Sequence, residues 1–93
     1  MKRLQDNVTI ITGGGKGIGF GLAQAFAEEG SDLVLTGRTE SRLLTAKEEL
    51  ETRYGIRVLP IVADGADEEA IRGVVRKTIE TFGRIDTLVN NAQ

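Results

Sequence analysis

The stretch Thr12-Gly13-Gly14-Gly15-Lys16-Gly17-Ile18-Gly19 decides how the rest of this chain is read. It follows a run of β-formers, Val8-Thr9-Ile10-Ile11, and opens into a pattern with Ile18, Leu22, Ala25 and Phe26 at helical spacing. Six of the chain's twelve glycines lie between Gly13 and Gly21. That density costs backbone entropy and is explained where special dihedrals or close backbone approach are required. A strand, a glycine turn and a helix N-terminus in that order form an anion site, because unpaired N–H groups and the positive end of the helix dipole converge there.

Working outward, the first strand spans about Asn7 to Thr12 and is apolar or β-branched nearly throughout, which suits burial on both faces. The first helix spans Gly17 to Glu29, with Gly30 as its stop. A second strand, Asp32 to Thr36, leads through Gly37 to Arg38, and a second helix follows from Glu40 to Tyr54, with Leu43, Lys47, Leu50 and Tyr54 on one stripe and Gly55 at its end. The third strand, Ile56 to Ala63, contains Pro60, which lacks a ladder donor and so places it at a sheet edge. Asp67 is the expected N-cap of a third helix, with Ile71, Val74, Val75, Thr78, Ile79 and Phe82 at helical spacing before Gly83. Ile85 to Val89 is the fourth strand.

Alternating strands and helices predict a parallel α/β sheet. Right-handed crossovers, with Pro60 at the edge, give the strand order 3-2-1-4. Residues 1–93 therefore read as a single Rossmann-type, doubly wound domain, with the glycine turn and Asn90 to Ala92 at the C-terminal strand edge, where ligands bind.

The inventory narrows the chemistry. With no cysteine and no histidine, disulfides, thiolate catalysis, Ser-His triads and most zinc sites are excluded, and no metal site is expected. Apolar content of 40%, charged content of 28% and one proline describe an ordinary globular chain, and a net charge of −2 gives no general pull toward nucleic acid or membrane. The opening Met1-Lys2-Arg3-Leu4-Gln5-Asp6 is not followed by an apolar h-region, and no apolar run approaches a membrane span, so a cytoplasmic location is expected.

The spacing Gly-x-Gly-x-x-Gly is not met: from Gly13 it needs a glycine at Ile18, and from Gly14 one at Lys16. The P-loop is not met either, since Lys16 is followed by Gly17 rather than Ser or Thr. The pattern present is Thr-Gly-x-x-x-Gly-x-Gly, from Thr12 to Gly19. With Asp64 after strand three and Asn90-Asn91-Ala92 after strand four, the whole chain resembles the short-chain dehydrogenase/reductase family in its ordinary shorter-chain subgroup, departing from Asn-Asn-Ala-Gly at Gln93.

The resemblance implies roles. Backbone around Gly13, Gly15 and Ile18, in the turn that Gly17 and Gly19 complete, would meet the cofactor's pyrophosphate and the ribose beside it. Asp64 would take the adenine amino group, Asn90 would brace the parallel strands, and Asn90 and Ala92 would line the nicotinamide ribose. Taken alone, Asp64 also reads as a strand-end cap, and Asn90 and Asn91 as ordinary turn residues. Cofactor choice has a physical argument: an acid about twenty residues past the turn would bind the ribose 2′-hydroxyl of NAD, whereas Arg38 just after strand two accommodates the 2′-phosphate of NADP. Lys16 points the same way, and the family's NADP-preferring members likewise carry basic residues at these two places.

The family's catalytic Tyr-x-x-x-Lys pair and upstream Ser are missing. The single tyrosine, Tyr54, is followed four residues later by Val58. The chain thus reads as the N-terminal, NADP(H)-binding portion of a longer oxidoreductase fold, inactive alone and self-associating through the exposed fourth strand. Two alternatives are a natural short nucleotide-binding or partner-capping module without catalysis, and a Rossmann-type methyltransferase. The latter would want an acid rather than Arg38 after strand two.

Overall fold

The computed structural model describes residues 3–91. Four strands alternate with three helices: β1 (Val8–Thr12), α1 (Gly17–Glu28), β2 (Asp32–Gly37), α2 (Glu40–Tyr54), β3 (Val58–Val62), α3 (Glu68–Phe82) and β4 (Thr87–Asn90). All strand pairs are parallel and the order is β3-β2-β1-β4. Ile10 stands opposite Val34 on one side and Leu88 on the other.

The alternation of strand side chains divides the core into two layers. Ile11, Leu33 and Leu35 face α1 and α2, where Ala23, Ala27, Leu43, Ala46 and Leu50 bury against them. Val8, Ile10 and Val34 face the opposite way and pack with Val74 of α3. Both faces of β1 are therefore covered, which explains its unbroken burial. The helices stop where their glycines take positive φ. Gly30 closes α1 with Gly30 N–H to Ala27 O and Ser31 N–H to Phe26 O, and Gly55 and Gly83 each donate to the carbonyl four residues back. Asp67 caps α3 by accepting from Glu69 N and Ala70 N.

Boundaries move by one or two residues, the starts of β3 and β4 by two. β3 starts at Val58 rather than Ile56, because the Arg57 N–H donates to the Asp32 carboxylate at 2.9 Å instead of joining the ladder as a strand residue. β2 continues one residue further, to Gly37, opposite Val62. β4 starts at Thr87 rather than Ile85, since Asp86 ends the preceding turn by accepting the Val8 N–H on its carboxylate at 2.8 Å. The α3 stripe is also wider than the surface that four strands offer it: Val74 and Thr78 are buried while Val75 and Ile79 remain exposed.

The two sheet edges differ. On β3, Pro60 has no N–H, the Val58 N–H donates to Glu51 Oε2, and the Val58 carbonyl accepts from Lys47 Nζ, both at 2.9 Å. Burial favours the neutral Glu51 carboxyl, but the Lys47 ammonium and the Val58 N–H outweigh it and hold the acid below its ordinary range. β4 carries no such cover among the described residues. It is followed by one further described residue, and Leu88 is 51% exposed. No helix among the described residues is long and apolar enough to cross a membrane.

Candidate functional site

The glycine turn sits where the topology reverses, between β1, whose next neighbour in one direction is β2, and β4 on the other side. Gly13 and Gly17 both take left-handed backbone, with φ of 69° and 60°, and turn the chain from β1 into α1. Gly19 is needed for a different reason. A Cβ there would collide with the Gly13 carbonyl oxygen and come within 2.8 Å of Asn91 Nδ2, so only a glycine lets α1 start this close to β1. Gly14 is similarly confined, with Leu35 Cδ2 at 2.6 Å from a notional Cβ and its N–H donating to the Thr36 carbonyl.

Helix α1 begins without a side-chain cap among the described residues: Lys16 occupies the N-cap position in extended conformation, and its side chain does not turn back onto the first N–H groups. Those donors and the positive end of the helix dipole face a cleft of about 600 Å³. Gly13, Gly15, Lys16, Gly17 and Ile18 form its floor on one side, and Arg38, Thr39, Arg42 and Asp64 close it on the other. Ile18 is 77% exposed at the rim.

Charge concentrates here. Lys16, Arg38 and Arg42 face the cleft against the single carboxylate of Asp64, a local excess of two positive charges on a chain whose formal net charge is −2. Elsewhere Arg57 pairs with Asp32, Arg72 with Glu68 and Glu69, and Arg84 with Asp86, while Arg3, Arg53 and Arg76 form no ion pair among the described residues and stand apart from one another in sequence. Among the described residues, Lys16, Arg38 and Arg42 have no anionic side chain within 4 Å. A partly enclosed cluster of uncompensated cations beside an uncapped helix start is built to receive an anion.

Of the expected site residues, Gly13, Gly15, Lys16, Gly17, Ile18, Arg38 and Asp64 converge on this cleft. Gly19 lies behind it, in the contact between α1 and β1. Asn90 does not line it: its Oδ1 accepts from Thr12 Oγ1 at 3.1 Å, linking the ends of β1 and β4. Asn91 does, through a backbone N–H to Thr12 Oγ1 and a side-chain amide turned toward the Gly13 carbonyl. Ala92 lies outside the described residues. Asp64 also uses Oδ1 to accept the Ala66 N–H at 2.9 Å, so part of its carboxylate shapes the turn before α3. Arg42 was not anticipated; its one sequence signal is a cation in the first turn of a helix, where the dipole disfavours it by about 0.3–1 kcal/mol.

The short chain dehydrogenase family matches residues 7–93. The chain belongs to this family. A 12alpha-hydroxysteroid dehydrogenase from Clostridium sp. is 56% identical across 92% of this chain and 36% of its own length. The L-sorbose reductase of Gluconobacter frateurii, solved with NADPH and L-sorbose, superposes with a TM-score of 0.94 at 39% identity over 99% of this chain and 35% of that one. An NAD+-bound xylitol dehydrogenase superposes with a TM-score of 0.91 at 34% identity, covering 98% of this chain and 35% of the other. The chain thus spans about a third of the length of the short-chain dehydrogenases it matches.

Proposed function

We propose that this chain is the NADP(H)-binding portion of a short-chain oxidoreductase. The observation that carries the reading is the cleft beside the start of α1, walled by Lys16, Arg38 and Arg42, which have no anionic side chain within 4 Å among the described residues. The residues fit a dinucleotide. N–H groups at Gly17 and Ile18 and the tight turn through Gly13 and Gly15 would hold the pyrophosphate, and Asp64 would hold the adenine edge. Asn90 would brace β1 against β4 through Thr12, and Asn90 and Ala92 would border the nicotinamide ribose. Bound there, the cofactor supplies hydride for carbonyl reduction or accepts it in alcohol oxidation.

Solved relatives bind NADPH in one case and NAD+ in another, so the preference rests on this chain's own charges. Arg38 stands immediately after β2, and Lys16 faces the same cleft. A 2′-phosphate placed between them gains charge-assisted hydrogen bonds worth roughly 1.5–3 kcal/mol each, which a ribose hydroxyl would not. Titration should therefore show NADPH binding at least about tenfold more tightly than NADH. Equal binding, or an unchanged preference in Arg38→Asp, refutes the NADP reading.

The 93-residue chain has no Tyr-x-x-x-Lys, and Tyr54 lies on α2 beneath Arg53, apart from the cleft. Positioning without a proton donor forgoes an acid–base contribution of about 10²- to 10⁴-fold. The chain alone is therefore expected to turn over no ketone or aldehyde with NADPH above background. The β4 edge, uncovered among the described residues and carrying exposed Leu88, supports self-association in the reading as well.

A further inference from the structure

We infer that Arg42, on the first turn of α2, is a third determinant of 2′-phosphate recognition, closing the phosphomonoester corner from the side opposite Lys16. The inference rests on the NADP(H) reading and deepens it.

Three observations lead there. The backbone of the phosphate turn touches α2 at this residue: a Cβ on Gly15 would lie 3.5 Å from Arg42 Cβ and 3.4 Å from Leu43 Cδ2. The root of Arg42 is thus fixed against the glycine turn by close packing, and Leu43 beside it is fully buried. Second, Arg42 borders both the main cleft and a smaller groove of about 350 Å³ between the start of α1 and α2, so its side chain forms the ridge between them. Lys16 borders both cavities as well, so the two cations line the same pair of cavities.

Third, the placement works against helix stability. A cation in the first turn opposes the macrodipole that Glu40 in the same turn favours, and Arg42 itself has no acid within 4 Å among the described residues. A residue that breaks a local rule without compensation is a candidate for function. A dianion placed among Lys16, Arg38 and Arg42 would answer all three charges, with each cation supplied by a different element: the turn before α1, the loop after β2, and α2. The planar guanidinium of Arg42 can present two parallel donors to a phosphate, which an ammonium cannot.

The test is binding of adenosine 2′,5′-bisphosphate and adenosine 5′-monophosphate to the 93-residue chain and to Arg42→Ala and Arg42→Lys, by calorimetry at fixed salt. Arg42 is exposed, so circular dichroism should report unchanged folding in both variants. Expected is an about tenfold loss of bisphosphate affinity in Arg42→Ala, the loss of one charge-assisted hydrogen bond, with the monophosphate unchanged and Arg42→Lys intermediate. If the parent prefers the bisphosphate and Arg42→Ala keeps that preference in full, Arg42 has no such role and the NADP(H) reading stands. An equal loss for both nucleotides makes Arg42 a general wall of the cleft and overturns the inference. A parent chain without preference removes the NADP(H) reading and the role of Arg42 together.

Discussion

Gly17 and Gly19 are two residues apart and would fail for different reasons. Gly17 has left-handed φ but open space around a notional Cβ, so Gly17→Ala should cost only the backbone term of about 1–2 kcal/mol. At Gly19 a methyl group collides with the Gly13 carbonyl, and relief requires α1 to move off β1, carrying the turn with it. Gly19→Ala should therefore destabilise by about 1–3 kcal/mol and also weaken NADPH binding, beyond the effect of Gly17→Ala; denaturant melts paired with cofactor titration separate the two. A variant Gly19→Ala with native stability and affinity would refute the packing argument. The type of each residue in the turn was legible from sequence because glycine density has few explanations. Arg42 was not, since an arginine on a helix is what a solvated surface also shows, and only the contact between Gly15 and α2 distinguishes it. Asn91 was missed for a related reason: β4 ends at Asn90, one residue beyond the expected Val89, and that ending turns Asn91 rather than Asn90 toward the turn.

The elements were legible in order and nearly in extent, because each helix carries its own stop: Gly30, Gly55 and Gly83 all adopt the positive φ that their positions require. The start of β4 was not, since it depends on the adjacent Asp86 side chain taking a backbone partner far away in sequence. Asp86 accepts from Arg84 and from the Val8 N–H, and these two bonds, in that order of importance, hold its carboxyl below the ordinary aspartate value. The Arg84 guanidinium is held correspondingly above its own. An acid whose pKa is lowered by folding stabilises above its unfolded pKa and loses that contribution as pH falls through the folded value. Stability should therefore be steady above about pH 5 and decline below about pH 4, with Asp86→Asn removing part of that decline. Urea melts at pH 7 and pH 3 check it, and an acid limb unchanged in Asp86→Asn would assign the effect to other carboxylates.

At the scale of the whole molecule, the strand order 3-2-1-4 was readable from crossover handedness and one proline. The side-chain cover over the β3 edge was not. The cover over β3 comes from Lys47 and Glu51, which look from sequence like an ordinary salt bridge one helical turn apart. Their consequence concerns the valency of any assembly. A sheet with both edges open offers two places at which a further copy can pair. Here one rim is stopped by Pro60 and the α2 side chains, which leaves β4 as the rim without such cover among the described residues. Two copies joined there about a two-fold axis exhaust each other's capacity to add a third. Sedimentation at increasing concentration should then reach twice the monomer mass and stop. A purely monomeric chain would contradict β4 pairing, whereas growth past the dimer would show that the β3 rim is not terminated. In Lys47→Ala/Glu51→Ala, which frees the Val58 N–H and carbonyl but leaves Pro60 in place, sedimentation should show species heavier than the dimer at high concentration.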